Sequence, residues 1–172
     1  PTNAGILFFG KFPQQFFPNA RLRVIRFKGL QTTNPTLDTA NCEGTVWEIL
    51  DIAEDSIRKN IRLLGTRTEE SFRREDKFEY PIKALREAMT NALIHRDYSA
   101  PGDVRVFIFD DRVEIISPGM FPKGVTPKNP KHMPVNKILC QLVYDIGLIE
   151  KYGSGISMMN GLSREWGNKE PY

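Results

Sequence analysis

Cysteine is scarce: Cys42 and Cys140 are the only two in 172 residues, and neither belongs to a Cys-x-x-Cys or Cys/His cluster. No disulfide framework or zinc site is written here, and a reducing, cytoplasmic compartment is expected. Long apolar runs are also missing. The run Ile6 to Phe9 is closed by Gly10, far short of the ~20 residues a membrane span needs, so no membrane partner is expected. No block of five or more like charges exists, and the 24 Lys+Arg and 21 Asp+Glu interleave to a net charge of +3. That pattern fits solvated faces better than a phosphate track. Neither GxxxxGK[ST] nor GxGxxG occurs, so the Walker and Rossmann phosphate loops are excluded. A content of 40% hydrophobic and 26% charged residues describes an ordinary globular domain. The first residue is Pro rather than Met, which suggests a piece of a longer chain.

The opening AGILFFG and KFPQQFFPNA read as a short helix or strand and a packed loop, broken by Pro13 and Pro18. Residues 21–27 (RLRVIRF) alternate as a strand buried partly on both sides, and 31–42 (QTTNPTLDTANC) have the composition of a loop. Val46, Ile49, Leu50, Ala53, Ile57 and Ile61 recur at helical spacing, which predicts a helix from Glu43 to about Arg62. Residues 63–80 suggest one or two short strands joined by a polar turn. Pro81 then opens a second helix through about His95, with Ile82, Leu85, Ala88 or Met89, and Ala92 as its core face. Two β-rich runs, 104–109 and 112–116, flank Asp110-Asp111 as a hairpin. Five prolines between Pro118 and Pro134 forbid regular structure there, leaving a long loop of the kind that forms lids. Two further helices follow, one over Ile138 to Ile146, the other opened by Gly153-Ser154-Gly155 with Ile156, Met159, Leu162 and Trp166 on one face. The expected fold is α+β, a two-layer sandwich with a largely antiparallel sheet.

Three features can carry chemistry. Glu87, Asn91 and His95 are spaced i, i+4, i+8 and line one edge of an apolar helix. An amide oxygen suits a hard cation and a carboxylate can take a proton from water beside it; the alternative is a helix whose polar side meets solvent. Gly153-Ser154-Gly155 before a helix can present backbone amides to an anion, or can be a plain connection. Ser117-Pro118-Gly119 after the second hairpin strand can bring backbone close to a flat ring, or can be a strand exit.

In order, REAMTNALIHRDYS, the hairpin ending in EIISPGMFPKG, a long loop and GLIEKYGSGI resemble the ATPase-like C-terminal domain of proteins with Schlafen-type, Alba-like DNA-binding domains. These are described as transcriptional regulators or as RecG-related ATP-dependent DNA helicases. The opening PTNAGILFFGKFPQQFFPNARLRVIRFKG looks like the same family, so the resemblance spans nearly the whole chain. That family is similar in turn to the GHKL (Bergerat) nucleotide-binding group, which implies a mixed or antiparallel sheet with helices on one face and ATP held between a helix and a lid. The resemblance implies roles for particular residues: Glu87 activates water, Asn91 holds Mg2+, and Gly119 follows the adenine-reading strand. Loop 120–134 forms the lid, Lys123 or Lys128 meets phosphate, and Gly153 to Gly155 face the phosphates, with His95 and Ser117 at the nucleotide. Ser117 stands where the wider group has an Asp that accepts from the adenine amino group, and Ser157 stands where a third glycine is common; both bear on affinity for ATP.

On this reading residues 1–172 are one ATPase-like domain, 1–42 an N-terminal strand and loop region and 43–172 the nucleotide-binding core. The expected function is an ATP-binding regulatory module of a DNA-binding transcriptional regulator, with DNA contacted through a domain outside these residues and a homodimer allowed. The alternatives are a slow Mg-dependent ATPase, a purely structural dimerisation body, and a nucleic-acid surface built on Arg21, Arg23, Arg26 and Lys28.

Overall fold

The computed structural model describes residues 1–67, 74–120, 123–124, 133–149 and 154–172. The elements in chain order are α1 (Asn3–Phe9), a 3-10 turn (Pro13–Gln15), β1 (Leu22–Phe27), β2 (Thr36–Cys42), α2 (Val46–Asn60), β3 (Leu63–Arg67), β4 (Arg74–Phe78), α3 (Ile82–Ile94), β5 (Val104–Ile108), β6 (Val113–Ile116), α4 (Lys137–Asp145) and α5 (Gly155–Trp166). Four strands form one mixed sheet in the order β2-β1-β5-β6, while β3 and β4 make a separate hairpin. In the large sheet β1 runs antiparallel to β2 and parallel to β5, and β5 runs antiparallel to β6. The fold is an α+β two-layer sandwich.

Alternation on the central strands decides which face the helices cover. Leu22 and Val24 of β1 and Val104, Val106 and Ile108 of β5 are fully buried and point into one core. Arg23 and Ile25 pair in register with Arg105 and Phe107 on the other face, where none of the four is buried. Helix α2 closes the core with Val46, Ile49, Leu50, Ala53 and Ile57. Its start is fixed by a capping box in which the Glu48 carboxylate accepts from the Thr45 N–H at 2.7 Å. That backbone bond, with the Thr45 hydroxyl, holds the Glu48 carboxyl below the usual range.

Two sequence expectations are corrected. Residues 36–42 are a strand rather than a loop, because β2 takes its stability from backbone pairing with β1, from Leu22 opposite Cys42 to Arg26 opposite Asp38. As an edge strand it buries only Cys42 fully, so its alternation is too weak to read. The core face of α3 is also rotated and broadened. Ile82, Leu85 and Ala92 are only partly buried, while Ala84, Glu87, Met89, Thr90, Leu93 and Ile94 are buried. The helix is packed by α2, β6 and α5 from different sides, so no single stripe describes it.

Helix α5 positions the site. Its far end is tied to the β4 exit, where Trp166 Nε1 donates to the Phe78 carbonyl at 2.9 Å and Asn168 Nδ2 to the Glu79 carbonyl at 3.1 Å. Met159 is buried, whereas Ile156, Leu162 and Trp166 are half-buried. Gly167 ends the helix at φ +78°. Among the described residues no helix is long and apolar enough to cross a membrane.

Candidate functional site

The i, i+4 spacing on α3 brings Glu87 and Asn91 together, and α5 meets them with its first turn. Asn91 Nδ2 donates to Glu87 Oε1 at 3.1 Å. Gly155, the first residue of α5, lies directly on this pair: a β-carbon there would collide with Glu87 Oε1 and lie 3.3 Å from Asn91 Nδ2. Glycine at 155 leaves room for the Glu87 carboxylate, which a larger residue would push aside; backbone conformation does not call for it. Glu87 is 8% exposed, an almost fully buried carboxylate facing a helix start whose first N–H groups have no helical acceptor. Two segments distant along the chain, α3 at 87 and 91 and α5 at 155, therefore meet at one point. No phosphate fits between Gly155 and Glu87 in this arrangement, since a methyl group does not.

His95 is not part of that cluster in the same sense. It caps the C-terminus of α3, and its Nδ1 faces the Val135 N–H at 3.5 Å, a long contact toward the segment entering α4. Ser154 is the N-cap position of α5. Lys123 is exposed in a turn with Gly124. Gly153, Lys128 and most of loop 120–134 lie outside the described residues.

The strand exit at Ser117 is welded to α3. Ser117 Oγ donates to the Ala92 carbonyl at 2.7 Å, and the Asp97 N–H donates to the Pro118 carbonyl at 2.9 Å. Gly119 has φ +122°, and a β-carbon on it would lie 3.1 Å from the Asp97 nitrogen. Only glycine meets both conditions without strain. A further hydrogen-bond partner on the Ser117 hydroxyl would have to use its lone pairs.

The HRDYS stretch, quoted above only as part of a resemblance, turns out to be a structural strap. Arg96 is 1% exposed and donates to the carbonyls of Asn19 at 2.6 Å and Gly102 at 2.8 Å, with its guanidinium 4.9 Å from the Tyr98 ring centre. Burial lowers its pKa from the ordinary value. Tyr98 donates to the Leu93 carbonyl at 3.0 Å, and burial raises its phenol pKa. Asp97 accepts from the hydroxyl and N–H of Ser99 at 2.6 and 2.8 Å, which holds its carboxyl below the usual range. Asn136 completes the strap by donating to the Ile94 and Arg96 carbonyls, both at 2.9 Å. The sequence carries no usable signal for it: an Arg one residue beyond the C-cap of a helix has the same spacing as a solvent arginine.

Of the four basic residues offered for nucleic acid, the three arginines are met by carboxylates, while Lys28 is exposed. Arg21 pairs with Glu43 at 3.1 Å, Arg26 with Asp110 at 2.5 Å, and Arg23 with Asp103, which also stands 4.0 Å from Arg105. A surface concavity of about 460 Å3 is lined by Lys11, Phe12, Gln14, Glu43, Gly44, Glu48, Asp51 and Ile52, none of them among the expected site residues. Among the described residues no three His, Cys, Asp or Glu side chains are grouped to hold a metal. A cation here would need phosphate oxygens and water in addition to Asn91, the mode that suits Mg2+.

Comparison with known proteins bears on the class. Residues 102–172 match the family model described as "Putative ATP-dependent DNA helicase recG C-terminal". That stretch holds the hairpin, the proline-rich loop, α4 and α5, so the similarity to an ATPase-like, RecG-related family lies in the C-terminal part of the chain. The DIP2311 protein from Corynebacterium diphtheriae has a similar fold, with 25% sequence identity and a TM-score of 0.81 over 98% of this chain. This chain spans 34% of the length of that one. No curated protein matches the sequence.

Proposed function

We propose that this chain is an ATP-binding, ATPase-like module that serves a larger DNA-binding regulator. The observation that carries the proposal is the meeting of Glu87 and Asn91 with the first turn of α5. A carboxylate, an amide oxygen and a set of helix-start amides at one point suit a Mg-bound polyphosphate. The match of residues 102–172 to an ATPase-like family supports the same reading. Mg2+ would neutralise phosphate charge when bound. In this assignment Asn91 directs its amide oxygen to the cation, and Gly155 keeps backbone N–H groups within reach of phosphate. Glu87 accepts the proton of a water directed at the terminal phosphate. In the same assignment Ser117 and Gly119, at the exit of β6, take the adenine edge, and Lys123 takes phosphate. DNA contact falls to a part of the protein outside these residues.

The neutralised arginines weigh against direct nucleic-acid binding through Arg21, Arg23, Arg26 and Lys28. A second reading, a degenerate module that senses nucleotide without hydrolysing it, is favoured by Ser117. Its hydroxyl is committed to Ala92, and a neutral acceptor makes a weaker contact than a carboxylate. Titration calorimetry with ATP and Mg2+ tests both readings. Binding at or below millimolar ATP is expected, with Asn91→Ala weakening the Mg-dependent part. Glu87→Gln should abolish any turnover while retaining binding. Absence of heat and of any melting shift at millimolar nucleotide would remove the nucleotide from the function.

A further inference from the structure

We propose that Glu87 is an internal competitor for the phosphate position: its carboxylate rests on the first turn of α5, and a nucleotide must displace it to bind. This inference rests on the nucleotide-binding reading and concerns how that same site is regulated. The geometry is specific. Gly155 and Glu87 Oε1 are packed so closely that a methyl group on residue 155 fits only if the carboxylate moves, and the neighbouring Asn91 Nδ2 donates to the same oxygen at 3.1 Å. Carboxylate and phosphate are both anions with acceptor oxygens, and a helix start favours either one. Only one of them can occupy that turn.

The rest of the fold makes the contact a latch rather than a fixed joint. Helix α5 is anchored at its other end by Trp166 and Asn168 on the segment leaving β4. Its first turn can therefore separate from α3 while its last turn stays in place. In the latched state Glu87 is held against α5, with Asn91 Nδ2 bonded to its carboxylate at 3.1 Å. Arrival of phosphate frees both, so the carboxylate becomes available to water only when a nucleotide is present. Idle activation of water is thereby avoided.

A latch closed nine-tenths of the time or more lowers apparent affinity about tenfold or more. The test compares wild type with Glu87→Gln, which keeps the shape and removes the charge, and with Gly155→Ala, which wedges the contact. ATP affinity is measured by calorimetry without hydrolysis being required, and amide hydrogen exchange is followed over residues 155–160 with no nucleotide present. The expected result is faster exchange at the start of α5 in both variants and ATP binding at least about tenfold tighter in Glu87→Gln. Unchanged exchange together with unchanged or weaker ATP binding overturns the latch and leaves nucleotide binding standing. Faster exchange with no ATP bound by any of the three proteins overturns the nucleotide-binding reading and the latch with it, and leaves the Glu87–Gly155 contact a purely structural one. No binding and no change in exchange removes both.

Discussion

Arg96 offers the most direct test of what holds the site frame together. Its guanidinium joins three segments: Asn19 ahead of β1, its own loop after α3, and Gly102 ahead of β5. Among the described residues no carboxylate bonds to it, so its N–H groups on two backbone carbonyls carry the interaction. Replacing it by Met keeps the aliphatic volume and removes both bonds. Hydrogen bonds from a charged donor are worth about 1.5–3 kcal/mol each, and an orphaned buried acceptor costs about 1–3 kcal/mol. Relief of the charge's burial offsets part of this, since one Arg96 nitrogen, Nε, is buried with no hydrogen-bond partner among the described residues. The net expectation for Arg96→Met is a loss of about 2–3 kcal/mol, a melting temperature lower by roughly 4–12 °C for a chain of this length. Urea denaturation reads the loss directly as a shift in midpoint with unchanged slope. A loss below about 1 kcal/mol would mean that water replaces the guanidinium at both carbonyls, and the strap would not be a determinant of the fold.

Burial pushes the Cys42 thiol up to about 12 and the Cys140 thiol up to about 11. Neither should react with a thiol reagent at pH 8 until the protein is unfolded, and labelling of the native protein within minutes would contradict their packing. Asp103 is a second target. Burial alone would raise its carboxyl, but the hydrogen bond from Arg23 and the nearby Arg21 charge hold it below the ordinary value. A carboxyl depressed by folding contributes stability above its unfolded pKa and loses it as pH falls through the folded value. Stability should therefore drop below about pH 4, and Asp103→Asn should flatten that limb while costing roughly 1–2 kcal/mol at pH 7. An unchanged acid limb in the variant would take Asp103 out of the account.

How much of this was legible in the sequence depends on which force shaped each part. The α2 helix and the β5–β6 hairpin are amphipathic or β-rich enough to read directly, since their side chains alone specify period and burial. The pairing of Glu87 with Asn91 follows from helical spacing, and Gly155 was singled out for its freedom to approach an anion. What the sequence could not convey was that the group it approaches is Glu87 itself. Strand β2 was illegible because Thr36, Asp38 and Asn41 are ordinary turn residues, and the decisive term is backbone pairing with β1. Arg96 was illegible for the converse reason: its side chain looks solvent-bound, and only the fold supplies the two carbonyls that retain it. Both misses concern backbone hydrogen-bond partners, which residue types do not encode.

Position 117 separates the family resemblance from the structure most sharply. The resemblance suggests that Ser117→Asp restores the carboxylate that reads the adenine amino group, which predicts tighter ATP binding. The structure predicts a cost first. Ser117 Oγ donates its proton to the Ala92 carbonyl at 2.7 Å, and an ionised carboxylate has no proton to donate. Asp at this position places two acceptors against each other beside the last turns of α3, leaving the carbonyl unsatisfied at about 1–3 kcal/mol and adding repulsion. Ser117→Ala, which loses the bond without the repulsion, should cost only about 1 kcal/mol. The two variants, measured together by urea denaturation and ATP titration, distinguish the cases. If Asp is as stable as Ala and binds ATP more tightly than wild type, the carboxylate has turned toward the ligand and the hydrogen bond to Ala92 is dispensable. If Asp is the less stable of the two, serine stands at 117 because this chain uses the strand exit to brace α3, the helix that carries Glu87 and Asn91.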